Sequence, residues 1–288
     1  MNNINMISVI IPLYNKEKSI TDTVNSVLNQ TFKDFELIIV NDGSKDNSLS
    51  VVSQFTDKRV KIIDKPNGGV SSARNVGILN AKYEYIAFLD GDDIWYNKHL
   101  EILSNAIQNL DDDIIGGFGT TFYKSHAKFF DIDKYKSSTP VIIENYFDFM
   151  ASPLPRFNSS TLLVKKSKVL KTGLFDENLK YGEDVEFWYK LFSEYKIVYI
   201  NSVTTIYYVA AENRSVHYVM PLEKRFHQFN YTNKSKTEKK YLDKLVAIML
   251  IDFYMNKSYG NLYLIMGKYK ERVIGIILYI LKLVKKKF

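Results

Sequence analysis

The sequence predicts an α/β protein: a doubly wound, mostly parallel sheet of Rossmann-like type with a C-terminal helical extension. Two observations predict the sheet. Over the first hundred residues, short and nearly continuous apolar runs alternate with segments whose apolar residues recur at helical spacing, as strands buried on both faces alternate with helices. Each run also ends in a polar or glycine turn, and repeated strand–helix–strand units favour parallel, right-handed crossovers. A third observation predicts the extension: beyond Pro221 only helical spacing remains.

Taken in order, Ile7-Ser8-Val9-Ile10-Ile11 reads as the first strand, ended by Pro12 and Asn15. Ile20, Val24, Val27 and Leu28 mark a helix that Ser19 and Asp22 can cap. Residues 37–40 form the second strand, closed by Asn41-Asp42-Gly43-Ser44, and Leu49, Val52 and Phe55 mark the next helix. The third strand, 60–63, runs into the turn Pro66-Asn67-Gly68-Gly69 and a helix through Ala73, Val76 and Ile78 that Ser71 can cap. The strand at 85–89 delivers Asp90-Gly91-Asp92-Asp93. Beyond 113 the pattern is less regular, with strands at 114–115, 120–123, 160–164, 197–200 and 205–209. Helices are expected near 143–150, at 166–171 and from Glu183 onward. The chain thus divides into halves at 1–100 and 101–220 of one domain, and a helical extension at 221–288.

With 288 residues, 46% hydrophobic and 25% charged, the chain has the composition of a globular protein with one large domain and an appendage. It has no cysteine, which rules out a disulfide framework, a thiolate nucleophile or a Cys-based zinc site. The first residues lack the basic region of a signal peptide, and no segment offers the roughly 20 apolar residues needed to cross a bilayer. The expected location is therefore the cytoplasm. The net charge of +7 is concentrated in the last third. No helix-turn-helix, zinc-finger or ribonucleoprotein signature accompanies it, so nucleic acid is not an expected partner.

No G-x-G-x-x-G follows the first strand and no G-x-x-x-x-G-K-[ST] occurs, which argues against dinucleotide-binding and P-loop sites. Gly116-Gly117-Phe118-Gly119 reads as close packing or a bulge. Tyr14-Asn15, Asp42, Asn67-Gly68-Gly69 with Arg74, and Asp90-Gly91-Asp92 instead follow successive parallel strands, where open α/β sheets gather their ligands. Three carboxylates within four residues repel one another unless a cation sits among them. A solvated turn rich in Asp and Gly is the bland alternative for that run.

Four motifs in this order, Ser8-Val9-Ile10-Ile11-Pro12-Leu13-Tyr14-Asn15, Ile38-Ile39-Val40-Asn41-Asp42-Gly43-Ser44, Asn67 through Asn75, and Phe88 through Asp93, resemble a family 2 glycosyltransferase of the GT-A fold. The resemblance covers residues 6–210 and implies a nucleotide-binding first half and an acceptor-binding second half. It implies that Asp42 accepts a hydrogen bond from a uracil imide, that Tyr14 packs on the base, and that Pro12, Asn15, Glu17, Asn67, Gly68 and Gly91 shape the donor pocket. Arg74 would approach the nucleotide or diphosphate. In the D-x-D pattern, Asp90 would meet ribose or metal and Asp92 would ligate Mn²⁺ or Mg²⁺, while Asp93 is structural. Tyr181-Gly182-Glu183-Asp184 resembles the Glu-Asp motif, which makes Asp184 the general base and Glu183 and Trp188 acceptor contacts. His217, in a segment that closes over the donor in related enzymes, would complete the metal shell.

The resemblance implies an inverting, metal-dependent transfer of a hexose from a UDP-sugar to a glycan or lipid-linked acceptor in bacterial surface polysaccharide synthesis. A sugar-phosphate nucleotidyltransferase would need a glycine-rich, basic loop after the first strand, which Pro12-Leu13-Tyr14-Asn15 is not. A non-catalytic glycan-binding protein would not need intact Asp42, Asp90, Asp92 and Asp184. The segment 273–281 is apolar nearly all round and precedes Lys282 and Lys285-Lys286-Lys287. It suits either peripheral contact with the inner face of the cell membrane or packing on the domain or on a second subunit of a homo-oligomer.

Overall fold

The computed structural model describes residues 4, 6–124, 139–151, 158–208 and 221–285. The elements follow in the order β1 (Ile7–Leu13), α1 (Ile20–Leu28), β2 (Phe35–Asp42), α2 (Ser48–Val52), β3 (Val60–Lys65), α3 (Val70–Asn80), β4 (Tyr85–Phe88), β5 (Ile94–Trp95) and α4 (His99–Ile107). Then come β6 (Ile114–Lys124), β7 (Val141–Ile143), α5 (Tyr146–Ala151), β8 (Leu162–Lys165), α6 (Lys166–Thr172), α7 (Glu183–Glu194) and β9 (Lys196–Tyr208). The helices α8 (Lys236–Met255), α9 (Tyr259–Lys268) and α10 (Val273–Lys285) close the chain.

One nine-stranded sheet carries the order β3-β2-β1-β4-β8-β6-β9-β5, with β7 also on β9. β3, β2, β1 and β4 are wholly parallel, so their carboxyl ends share one edge. β8 enters antiparallel between β4 and β6, and β9 runs parallel to β6. β5 and β7 oppose β9. Every residue of β1 and β2 is buried, because helices cover both faces. Val9, Ile11 and Leu13 of β1 join Val24, Val27, Leu100 and Leu103 in the core. The alternate residue Ile10 meets α3, where a Cβ on Gly77 would lie 2.3 Å from the Ile10 Cγ2.

The alternation that predicts a mostly parallel α/β sheet with a helical C-terminal part holds, and several local readings change. The segments at 114–115 and 120–123 are one strand, β6, and those at 197–200 and, as far as Tyr208, 205–209 belong to one long β9. Register shifts in the β6–β9 pairing interrupt the alternation that a continuous strand would otherwise display. Ser71 does not cap α3; Gly69 does, at a φ of 94°, a left-handed conformation that a side chain would strain. Ser19 stands at the N-cap of α1 but makes no side-chain cap bond there. Trp95 lies on the short strand β5.

Two compact units emerge, residues 1–144 with 156–214, and 145–155 with 215–288. α5, inside the predicted acceptor half, thus groups with the C-terminal helices. In this second unit α8 packs against α5, α9 and α10 around Tyr241, Leu242, Val246, Phe253 and Ile265. Ser235 caps α8 by accepting from Glu238 N at 3.1 Å. Arg272 donates to both carboxylate oxygens of Asp243, at 3.0 and 2.6 Å. Among the described residues no helix is long and apolar enough to cross a membrane.

Candidate active site

The candidate site is built on the carboxyl edge of the parallel strands in the first unit. The loop after β1 and the loop after β2 lock together. Asn15 N donates to Ser44 Oγ (3.1 Å), Asn15 Oδ1 accepts from Lys45 N (2.7 Å), and Glu17 Oε2 accepts from the backbone and side chain of Asn47 (2.9 Å each). Asn15 adopts a positive φ of 51°, which asparagine tolerates, and Tyr14 stands 38% exposed on this rim. Asp42 ends β2 and is buried. Its carboxylate accepts from Gly68 N (2.9 Å), Gly69 N (2.7 Å) and Lys65 Nζ (2.6 Å), while its carbonyl accepts from Asn67 Nδ2 (2.8 Å). Asp42 therefore organises the turn that opens α3.

The acid run is a tight turn held from two sides. Asp93 N donates to Asp90 O (3.0 Å), and the carbonyl of Gly91 accepts from Ser19 Oγ (3.0 Å) and Thr23 Oγ1 (3.1 Å). A Cβ on Gly91 would sit 3.3 Å from Pro12 O, so the turn packs closely under the first loop. From β8's side, Ser160 Oγ accepts from Asp90 N (3.0 Å) and donates to Asp93 Oδ2 (2.5 Å). Burial pushes the Asp93 carboxyl well up, with Asp90 and Asp92 adding to it. That gives Asp93 a structural place in the turn.

Two cations hold the remaining acids. Arg74, buried on α3, donates to Asp90 Oδ1 at 2.7 Å and to Glu183 Oε1 at 3.3 Å. Lys16 Nζ donates to Asp92 Oδ2 at 2.6 Å. Glu183 and Asp184 begin α7, behind Gly182 in a left-handed conformation (φ 76°), and Asp184 Oδ1 accepts from Val185 N at 2.7 Å. Burial pushes Glu183 up to about 7, with Asp184 adding to it and Arg74 opposing. Burial likewise raises Asp184 against the pull of Arg74. Burial also raises Asp92, and Lys16 counters it. The segment before α7 is stitched to α3: Asn75 exchanges hydrogen bonds with the backbone of Phe175 (2.9 and 3.0 Å), and Lys180 Nζ donates to Gly68 O (2.7 Å). Arg74 also lies 5.3 Å from the Phe175 ring centroid.

The structure thus gathers Asp90, Asp92, Arg74, Glu183 and Asp184 from distant parts of the chain. Trp188 departs from its expected role as an acceptor contact: it is 2% exposed and its ring packs edge-on to Phe88, Phe175 and Phe187, so it offers no face to a sugar. Trp95 is equally buried, stacked on His99 at 4.1 Å. His217 lies outside the described residues. The sequence reading missed Lys16, Lys65, Ser160 and Lys180. Lys16 carried a signal, since it directly follows Tyr14-Asn15; Ser160 carried none, because only the insertion of β8 beside β4 brings it there.

Among the described residues no three His, Asp or Glu side chains converge to hold a metal ion. Asp92 and Asp90 offer oxygen alone, the donor type that suits Mn²⁺ or Mg²⁺. Such an ion fits here only if a ligand's own oxygens, such as those of a diphosphate, complete its shell.

The mostly parallel α/β sheet is similar to that of GT-A glycosyltransferases. The model of the family described as "Glycosyl transferase family 2" matches residues 8–161. The chain belongs to that family. It is 36% identical over 188 residues to an uncharacterized glycosyltransferase of Rickettsia typhi, covering 64% of this chain and 58% of the relative. It is 33% identical over 177 residues to the glycosyltransferase GlyG of Streptococcus pneumoniae, covering 60% of this chain and 58% of that one. The chain therefore spans somewhat under two thirds of these relatives' length. Among solved structures, residues 1–349 of TarS of S. aureus in complex with UDP align with a TM-score of 0.58 at 20% identity, over 86% of this chain and 65% of that one. The mannosyltransferase PcManGT from Pyrobaculum calidifontis, in complex with GDP-Man and Mn²⁺, aligns with a TM-score of 0.54 at 16% identity, over 72% of this chain and 58% of its own.

Proposed function

We propose that the protein is an inverting glycosyltransferase that moves a hexose from a UDP-sugar to a hydroxyl of a glycan or lipid-linked acceptor in bacterial surface polysaccharide synthesis, in the cytoplasm. The observation that carries this reading is the meeting of Asp90, Glu183 and Arg74 with Asp184 beside them, acids from both halves of the domain around one buried guanidinium. The UDP and UDP-GlcNAc complexes of TarS support the choice of donor, and the Mn²⁺ complex of PcManGT supports the metal.

In this reading Tyr14 packs on the base, and Asp42, whose carboxylate also holds Gly68 N, Gly69 N and Lys65 Nζ, accepts from the uracil imide. Asn15, Glu17, Asn67, Gly68 and Gly91 hold the pocket's shape through the loop bonds described above, and Pro12 packs closely against Gly91. Asp92, with Asp90, would hold Mn²⁺ or Mg²⁺, which would supply positive charge to the leaving diphosphate. Arg74 positions Asp90 and adds its own charge on the donor side. Asp184 takes the proton of the acceptor hydroxyl as its oxygen attacks the anomeric carbon opposite the diphosphate; the bond to the diphosphate oxygen breaks and the configuration inverts. Burial that raises Asp184 makes it a better base than an exposed Asp, because its proton affinity is closer to neutrality. Glu183 stands beside it toward the acceptor.

A donor screen by thermal shift, with and without Mn²⁺, tests the reading, followed by Asp184→Asn. The expected result is stabilisation by a UDP-sugar that depends on Mn²⁺, and a loss of transfer in Asp184→Asn of about a thousandfold or more with donor binding retained. No UDP-sugar response with Mn²⁺, or weakened donor binding with normal turnover in the variant, refutes it.

A further inference from the structure

The second unit leaves a band of large apolar side chains in solvent. On α9, Tyr259, Tyr263 and Met266 recur at spacings of four and three, one stripe of the helix, with Leu264 beside them; Tyr263 is 70% and Leu264 63% exposed. On α10, Ile274 (79% exposed) and Ile277 form a second stripe three residues apart. The opposite sides are already used: Ile265 and Tyr269 are buried in the unit, as is Ile276. These helices are therefore apolar on two faces, only one of which the described residues cover. The apolar nature of 273–281 was legible in the sequence, whereas the α9 stripe emerges only from its burial pattern.

The charge of this part of the sequence is one-sided. From Phe253 to the last residue Phe288 the chain holds eight basic residues and a single acid, Glu271. Residues 221–288 carry fifteen Lys and Arg against five Asp and Glu, a surplus of ten positive charges, while the rest of the chain is net negative by three. Two copies meeting through this face would bring like charges together. An anionic bilayer surface supplies both an apolar layer for the side chains and negative headgroups for the lysines. Tyrosine suits the boundary, with an apolar ring and a hydroxyl that stays in water. Among the described residues no helix is long and apolar enough to cross a membrane.

We propose that the exposed faces of α9 and α10 bind the surface of an anionic lipid membrane. The full-length protein is sedimented with vesicles of phosphatidylcholine alone and of phosphatidylcholine mixed with phosphatidylglycerol, at low and high salt. It is expected to pellet with the anionic vesicles at low salt and to be released by high salt. Tyr263→Ser with Leu264→Ser, or Ile274→Ser, removes apolar groups that are already in solvent and should lower the partition onto anionic vesicles by about tenfold, with unfolding temperature unchanged. Equal binding to both vesicle types, no binding to either, or full binding by the variants overturns the proposal. So does a dimer in lipid-free solution, seen by light scattering, that the same substitutions dissociate; that result would assign the face to a second copy of the chain. The sugar-transfer reading stands or falls separately, on the donor screen.

Discussion

Asp92 faces an ammonium rather than water, and that pairing governs how the acid turn behaves without a ligand. Lys16 Nζ at 2.6 Å offsets the repulsion among Asp90, Asp92 and Asp93, the role that a divalent ion would take over. Replacing Lys16 by Met should therefore raise the affinity for Mn²⁺ without nucleotide by about tenfold, read by calorimetry or Mn²⁺ spin resonance, and lower the unfolding temperature without metal. An unchanged affinity would mean that Asp92 is not the ligand. Glu183 gives a pH dependence of definite sign. Its carboxyl titrates at about 7 in the folded protein against an ordinary 4.5, so between those values the folded chain holds a proton that the unfolded chain has lost. Stability of the ligand-free protein should fall as pH rises through that window, by about 2 kcal/mol from Glu183, and Glu183→Gln should make the slope shallower, leaving the part that the raised Asp92, Asp93 and Asp184 contribute. Urea unfolding at either end of the window measures both.

At the scale of elements, the site depends on how closely α3 and β8 lie against the central strands. Gly77 lets α3 approach β1, since a Cβ there would reach 2.3 Å from Ile10. Gly77→Ala should cost about 1–3 kcal/mol in stability and weaken donor binding, because Arg74 and Asn75 ride on the same helix. β8 contributes through the turn before it: Ser160 bonds to both Asp90 N and Asp93. Ser160→Ala leaves these buried groups unpaired and should cost about 1–3 kcal/mol, measured by denaturant unfolding. If Ser160→Ala unfolds like the parent, the turn is held by Ser19 and Thr23 alone.

At the scale of the whole molecule, each of the two units has its own core, so unfolding need not be a single transition. Every donor-contacting residue assigned here belongs to the first unit. A UDP-sugar with Mn²⁺ should shift the transition of that unit upward and leave the other where it is, as seen by calorimetry with and without ligand. A single transition that shifts as a whole would show that the units unfold together.

The sequence alone determined the strand–helix alternation, the four motifs and hence the family, because strands buried on both faces and strand-end turns leave local signatures in residue type. Asp90, Asp92 and Asp184 stood out as candidates for the same reason: each lies at or close to the end of an element. Tertiary structure decided what surrounds them. Lys16 reaches Asp92 across 76 residues of chain and Arg74 reaches Glu183 across 109. Trp188 reads as a ligand face in sequence and becomes core because Phe88 and Phe175 arrive from other elements. Long-range pairing and burial are properties of the assembled sheet, and no local pattern encodes which cation an acid will meet.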